Sequence, residues 1–260
     1  MIIIKTDEQI NIIREGGKHL ATVLYKVKDF VKPGISTKDL DMYAEKLIRE
    51  YGDTPAFLNY RPAGAKKPFP ASLCVSVNDE VVHGIPKKDH ILVEGDIVCI
   101  DLGVKHKGMF TDMALTVPVG KISAEDKKLL EVTEQALHVG IDAARAGARV
   151  GDIGYAIETF VKSNSPKSGK YGIVDVLSGH GVGVEIHEDP YIPNFGKKGT
   201  GIILKKGMVI AIEPMLNLGS KNVMIAKDDW TIKTVDKKRS AHFECTVAIT
   251  DNEPEILTKI

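Results

Sequence analysis

One pattern occurs twice in this chain, far apart. Gly95-Asp96-Ile97-Val98-Cys99-Ile100-Asp101 is matched by Gly207-Met208-Val209-Ile210-Ala211-Ile212-Glu213. Each is a short apolar run that favours a strand, and each run ends in a carboxylate. His83-Gly84-Ile85-Pro86 is likewise matched by His187-Glu188-Asp189-Pro190. Two helical patterns precede the strands in both halves. The period is far longer than that of a solenoid repeat, so the pattern reads as an internal duplication. Two halves, about 1–118 and 119–260, related by a pseudo-twofold would place both strand-end carboxylates around a shared axis. The expectation is one α+β unit over 1–260 with a site in its middle, not two independent domains.

The first half carries its own pair of carboxylates. Ile97 to Ile100 is an apolar strand run, and Asp101 stands at its end, where a core strand disfavours an ionised group. Lys105-His106-Lys107-Gly108 is a turn signal, and Met109, Phe110 and Thr111 restart an extended pattern before Asp112. A two-residue turn centred between His106 and Lys107 makes Asp101 and Asp112 direct cross-strand partners, and a longer loop leaves them near neighbours. Opposed Cβ atoms lie about 5 Å apart. Two ionised carboxylates at that distance need a cation or a shared proton. Taken alone, two aspartates on a hairpin usually face solvent.

The rest of the chain supplies the supporting elements. Thr6 and Gln9 form a capping box for a helix that keeps its spacing from Ile10 to Val31, ahead of Pro33-Gly34. Ser36 with Asp39 opens a second, ending at Gly52. Residues 53–70 read as loop, and 71–77 as a strand. Ser123 and Asp126 cap a third helix running to Gly147. Asp152 caps a fourth. A Ser/Pro/Gly loop spans 163–172, and extended segments follow at 173–177, 208–213, 222–226, 230–235 and 243–250.

Composition narrows the class. Lys+Arg and Asp+Glu both number 35 in 260 residues, so zero formal charge gives no sign of a nucleic-acid binder, specific DNA included. Cys74, Cys99 and Cys245 are odd in number and widely spaced. They fit no disulfide framework or zinc-knuckle spacing, which suits a reducing cytoplasm. Met1 to Ile4 is too short for a signal-peptide core, and no apolar run is long enough to span a membrane.

Glu213 and Glu244 lie at or within apolar strand runs of the second half, and His180 sits in Ser178-Gly179-His180-Gly181-Val182-Gly183. Acids in such runs are seldom fully buried unless paired or metal-bound, although a solvated edge or a buried salt bridge is the plain alternative for each alone. The glycine stretch lacks the ending of a phosphate loop. His83 and His187 read singly as ordinary turn histidines beside proline. Together, four carboxylates and an imidazole suit Mn, Fe(II), Co or Zn. A bridged pair of such ions would acidify a water and clamp a tetrahedral intermediate, chemistry that fits amide hydrolysis.

The combined motifs resemble those of the type I methionine aminopeptidases of the bacterial kind, the pita-bread family. The matching stretches run from Asn78-Asp79-Glu80-Val81-Val82-His83-Gly84-Ile85-Pro86 through Asp101 and Thr111-Asp112 to Gly179-His180-Gly181-Val182-Gly183. They continue with His187-Glu188-Asp189-Pro190, Ile212-Glu213-Pro214, Trp230-Thr231 and Ala241-His242-Phe243-Glu244. The resemblance covers nearly the whole chain and implies two pseudo-twofold halves of helices on a curved antiparallel sheet. It implies a metal-dependent aminopeptidase that removes initiator methionine from nascent proteins when the second residue is small. Asp101, Asp112, His180, Glu213 and Glu244 would hold two divalent ions, Asp112 and Glu244 bridging them. A bridging water or hydroxide would attack the scissile carbonyl, with Glu213 moving its proton toward the departing amine. His187 would bind that carbonyl, and His83 would lie on the peptide's other side. Phe57, Tyr60, Phe69, Cys74 and Trp230 are the candidate methionine pocket.

Three departures stand out. The loop from Phe57 to Ser72 is longer than in typical bacterial members, Ile186 replaces an aromatic, and His242 replaces a glutamine. A silent binding protein of this fold and a proline-directed aminopeptidase are the alternatives. All five ligand positions are filled, which speaks against the former. The latter usually carries an extra N-terminal domain, for which this chain has no room. A monomer is expected. The pairs Lys66-Lys67, Lys87-Lys88, Lys197-Lys198, Lys205-Lys206 and Lys237-Lys238 read by default as solvated surface, with a transient contact to ribosomal RNA as the alternative.

Overall fold

The computed structural model describes residues 2–166 and 169–260, so the loop expected over 163–172 falls partly outside the described residues. Helix α1 (Asp7–Phe30) begins as its capping box requires. The Gln9 N–H donates to Thr6 Oγ1 at 3.2 Å and the Thr6 N–H donates to Gln9 Oε1 at 3.0 Å. Helix α2 (Thr37–Glu50) repeats the device with Ser36 and Asp39. Helix α3 (Ala124–Ala143) is capped by Ser123 but stops short of Gly147, because the chain leaves helical geometry at Ala144. Helix α4 (Val150–Asn164) has Arg149, not Asp152, at its cap position. Asp152 works from inside the first turn instead, accepting the Arg149 N–H at 2.8 Å.

The strands are β1 (Thr54–Pro55), β2 (Cys74–Val77), β3 (Glu80–Val82), β4 (Ile97–His106), β5 (Met109–Pro118), β6 (Gly172–Ile173), β7 (Gly179–Gly181) and β8 (Glu188–Ile192). They continue with β9 (Val209–Ile212), β10 (Met215–Asn217), β11 (Val223–Ile225), β12 (Ile232–Thr234), β13 (Ser240–His242), β14 (Glu244–Ala248) and β15 (Glu255–Ile256). Nine of them form one antiparallel sheet, ordered β1-β4-β5-β14-β9-β7-β8, with β2 also on β4 and β15 on β14. Two three-stranded sheets, β13-β10-β6 and β11-β12-β3, complete the set. The extended segment expected over 173–177 shrinks to β6. The glycine stretch around His180, absent from the expected extended segments, is strand β7.

The β4–β5 turn differs by one residue from its expected centre. His106 pairs with Met109, leaving Lys107 and Gly108 as the turn. Both have positive φ, 45° and 86°, the geometry of a two-residue turn whose twist matches the strands. Only Gly108 meets that demand without strain, so it draws the turn onto itself. Asp101 therefore faces Ala114, and Asp112 faces Gly103. The two aspartates are diagonal neighbours on one face, not direct partners.

The two faces of the sheet have different chemistry. One carries Ile100, Leu102, Leu115, Ile210, Ile212 and Val247, which merge with Leu20, Leu24, Leu129 and Ile153 of the helices into the main core. A Cβ on Gly140 of α3 would come within 2.8 Å of Ile157 and 3.2 Å of Ile212, so α3, α4 and β9 meet with no space left over. The opposite face carries Cys99, Asp101, Gly103, Asp112, Ala114, Thr116, Glu244, Thr246 and Ala211, small or polar throughout.

Candidate metal centre

Strand register builds the site. Cys74 pairs with Asp101, Asp101 with Ala114, and Ala114 with Glu244. Carried one step beyond Cys245–Ile212, the same register sets Glu244 opposite Glu213. One row across five strands thus holds three carboxylates. Asp112, two residues from Ala114, joins it on the same face, and its N–H donates to Thr246 Oγ1 at 2.9 Å. His180 pairs with Ala211, which shares a face with Glu213. All five expected ligands converge. His180 Nε2 lies 3.6 Å from Glu213 Oε1 and 4.0 Å from both Asp112 Oδ2 and Glu244 Oε1.

Asp101, Asp112, His180 and Glu244 are buried, and Glu213 is half-buried. Burial pushes Asp101 up to about 7 and Asp112, Glu213 and Glu244 upward as well. For Asp112 and Glu244 the neighbouring carboxylates add to the rise. Burial drives His180 down to about 3, reinforced by His187. Asp101 Oδ1 and Glu244 Oε1 have no hydrogen-bond donor. His180 Nδ1 lies 2.9 Å from the Gly181 carbonyl, which accepts its proton. Its Nε2 lone pair therefore faces three carboxylate oxygens. Such a set of like partners is reconciled by cations. Three overlapping trios, His180-Glu213-Glu244, Asp101-Asp112-Glu244 and Asp112-His180-His187, each bring one ligand atom per residue within 4.8 Å. The donor set fits divalent metal ions.

The centre forms one wall of a cavity. Phe57, Tyr60, Phe69, Cys74 and Trp230 line it, with Pro62, Val82, His83, His187 and His242. The space is about 130 Å³. A dry cavity of about 150 Å³ takes a benzene-sized group, so this one takes a single apolar side chain. The Phe69 and Trp230 rings meet edge-on at 5.3 Å. His187 stands at the mouth, its Nδ1 2.7 Å from the Tyr60 hydroxyl. His83 is held at φ 58°, a conformation that an ordinary side chain adopts only under constraint. Burial lowers it to about 4, so it is neutral.

Two features exceed the sequence-based list. His242 Nε2 is 3.5 Å from Glu213 Oε2, and its Nδ1 lies 3.6 Å from Cys99 Sγ. Burial opposes its charge, yet contacts with Cys99 and Glu213 hold it above its ordinary value. A histidine two positions before an acid in an apolar run was the available signal. The Tyr60–His187 contact joins residues too distant in sequence to have left one.

The model of metallopeptidase family M24 matches residues 11–251. The chain belongs to this family. Within it, methionine aminopeptidase 1 of Bacillus subtilis is 47% identical over 260 residues, all of both chains. The methionine aminopeptidase of Clostridium acetobutylicum is 44% identical, with 99% of each chain covered. Among solved structures, the methionine aminopeptidase of Thermotoga maritima superposes with a TM-score of 0.93 at 40% identity, covering both chains fully. The prolidase of Pyrococcus furiosus gives 0.75 at 25% identity, with 99% of this chain on 66% of that one. The M24 membership is of the type I methionine aminopeptidase kind, and the architecture is the pita-bread fold. No described helix is long and apolar enough to cross a membrane.

Proposed function

We infer that this chain is a metal-dependent methionine aminopeptidase, removing methionine from the N-terminus of polypeptides when the second residue is small. The row Asp101, Glu244 and Glu213, joined by Asp112 and His180 at the wall of an apolar cavity, is the observation that carries this reading. Asp112 and Glu244, central in the cluster, would bridge two divalent ions. Asp101 would complete one and His180 with Glu213 the other. Such ions, when bound, supply Lewis acidity that makes water nucleophilic at neutral pH and polarises a carbonyl.

The chain's own groups would do the rest. The cavity of Phe57, Tyr60, Phe69, Cys74 and Trp230 takes the methionine side chain and keeps water off it. Tyr60 engages His187 Nδ1, which leaves Nε2 to donate to the scissile carbonyl. Glu213, at the edge of the cluster, carries a proton to the departing amine. His83 orients the peptide from the opposite wall. The β5–β14 pairing joins the two halves, which supports a single catalytic unit over 1–260. We place this activity in the cytoplasm, in a monomer that meets nascent chains, with solvated surface as the default reading of the lysine pairs and a transient contact with ribosomal RNA as the alternative.

Release of free methionine from Met-Ala-Ser tests the reading. Chelated protein should be inactive, and Mn, Co, Fe(II) or Zn should restore turnover at two ions per chain. Turnover indifferent to chelation, or preference for an Xaa-Pro peptide over Met-Ala-Ser, would overturn it.

A further inference from the structure

A second group of metal-ligating side chains lies outside the cavity. His19 on α1, Asp53 in the turn between α2 and β1, and His106 at the end of β4 bring one ligand atom each within 4.8 Å of one another. Asp53 Oδ2 is 2.8 Å from His19 Nδ1, and Asp53 Oδ1 is 2.6 Å from His106 Nδ1. None of the three lines the catalytic cavity. His106 is 6% exposed, and its Nε2 makes no aligned hydrogen bond. The nearest carboxylate to that nitrogen is Glu15 Oε2 at 3.2 Å.

We propose that His19, Asp53 and His106 form a separate site for one borderline divalent ion of the zinc class. Two imidazole nitrogens and one carboxylate oxygen are a donor set of that class, unlike the oxygen-rich catalytic cluster. The fourth position stays open to water, because the His19 side chain is 21% exposed and gives an entry path. Glu15 is the outer partner such a site uses. When His106 directs its Nε2 proton to Glu15, the Nδ1 lone pair faces a carboxylate oxygen at 2.6 Å, and a cation between them relieves the repulsion. The rings are held for the purpose. Tyr51 stacks on His19 at 4.3 Å, and α1 lies against His106 so closely that a Cβ on Gly16 would come within 2.7 Å of it. Ligands about 2.0–2.1 Å from a tetrahedral zinc sit roughly 3.3 Å apart, so Asp53 would draw back from the two rings by about 0.5–0.7 Å as the imidazoles close around the ion. The bound ion would staple α1, the α2–β1 turn and the β4–β5 hairpin.

Equilibrium dialysis of the full chain against buffered free zinc tests the site. The parent should hold one zinc more than His19→Ala and Asp53→Asn. His19→Ala should release methionine from Met-Ala-Ser at the parent's rate, showing that it folds. X-ray absorption of Asp112→Asn/Glu244→Gln protein loaded with zinc should show an ion with two imidazoles that is lost when His19→Ala is added, a change that leaves the His180–His187 pair beside Asp112 untouched. Equal zinc content in the parent and both variants, or no two-imidazole ion, would overturn the proposal. The result is separable from the catalytic reading, since failure of the latter would appear as an unchanged ion count on replacing Asp112 and Glu244.

Discussion

His180 shows how much of the chemistry is decided at a single residue. One nitrogen is committed to the Gly181 carbonyl, so the other is left as a base aimed at carboxylates. Asp112 depends on an outside charge, since burial and the neighbouring Asp101 and Glu213 all oppose its ionisation. Asp112→Asn keeps the shape and removes the charge. Turnover of Met-Ala-Ser should fall by more than about a hundredfold, the upper end of what loss of a mere outer partner costs a metal site. Thermal unfolding of the chelated variant should occur at or above the parent's temperature, because a repelling charge has gone. A folded variant with parental turnover would remove Asp112 from the centre. The five clustered residues were legible because each is an acid or histidine set in an apolar or glycine-rich run. The role of His242 was not, since its meaning depends on Glu213 approaching from another strand.

At the scale of elements, the legible parts are those whose determinants are local. The boxes at Thr6-Gln9 and Ser36-Asp39 start α1 and α2 where expected, because cap and partner lie within one turn of chain. Strand β7 was hidden in a glycine stretch, because three residues acquire strand identity only by pairing with β8 and β9. The β4–β5 register was misplaced by one residue at its centre, which moved Asp112 from opposite Asp101 to opposite Gly103. Gly108 holds that register. A Cβ there meets nothing within 4 Å, so Gly108→Ala should cost conformational strain alone. The expected destabilisation is about 1–2 kcal/mol, the penalty of left-handed backbone for an L-residue. Urea unfolding of the chelated protein reads it, and an unchanged midpoint would mean that the turn does not need its positive φ.

For the whole molecule, the duplicated pattern becomes an arrangement in which β5 from the first half and β14 from the second share the sheet's centre, and charge from both is gathered there. That gathering opposes folding in the absence of metal, in a way that pH exposes. Asp101 rises from 3.8 to about 7 in the folded chain, and Asp112, Glu213 and Glu244 shift the same way. A raised pKa contributes stability below the unfolded value and loses it as pH climbs through the folded one. His180 and His83 run oppositely, lowered from 6.5 to about 3 and about 4, so their stability increases with pH up to 6.5 and is then constant. Below 6.5 the two sets oppose each other. Above it the carboxylates act without that opposition, and His242, raised above 6.5, adds to their effect. The melting temperature of chelated protein should therefore fall as pH rises from about 6.5 to about 8. Saturating manganese should reverse the trend, because ions bind the deprotonated ligands and their affinity grows over the same range. Thermal melts with and without manganese across this window give the measurement. A chelated protein that becomes more stable toward pH 8 would mean that these carboxylates are not held protonated by burial, and the charge cluster would then lose its need for a cation.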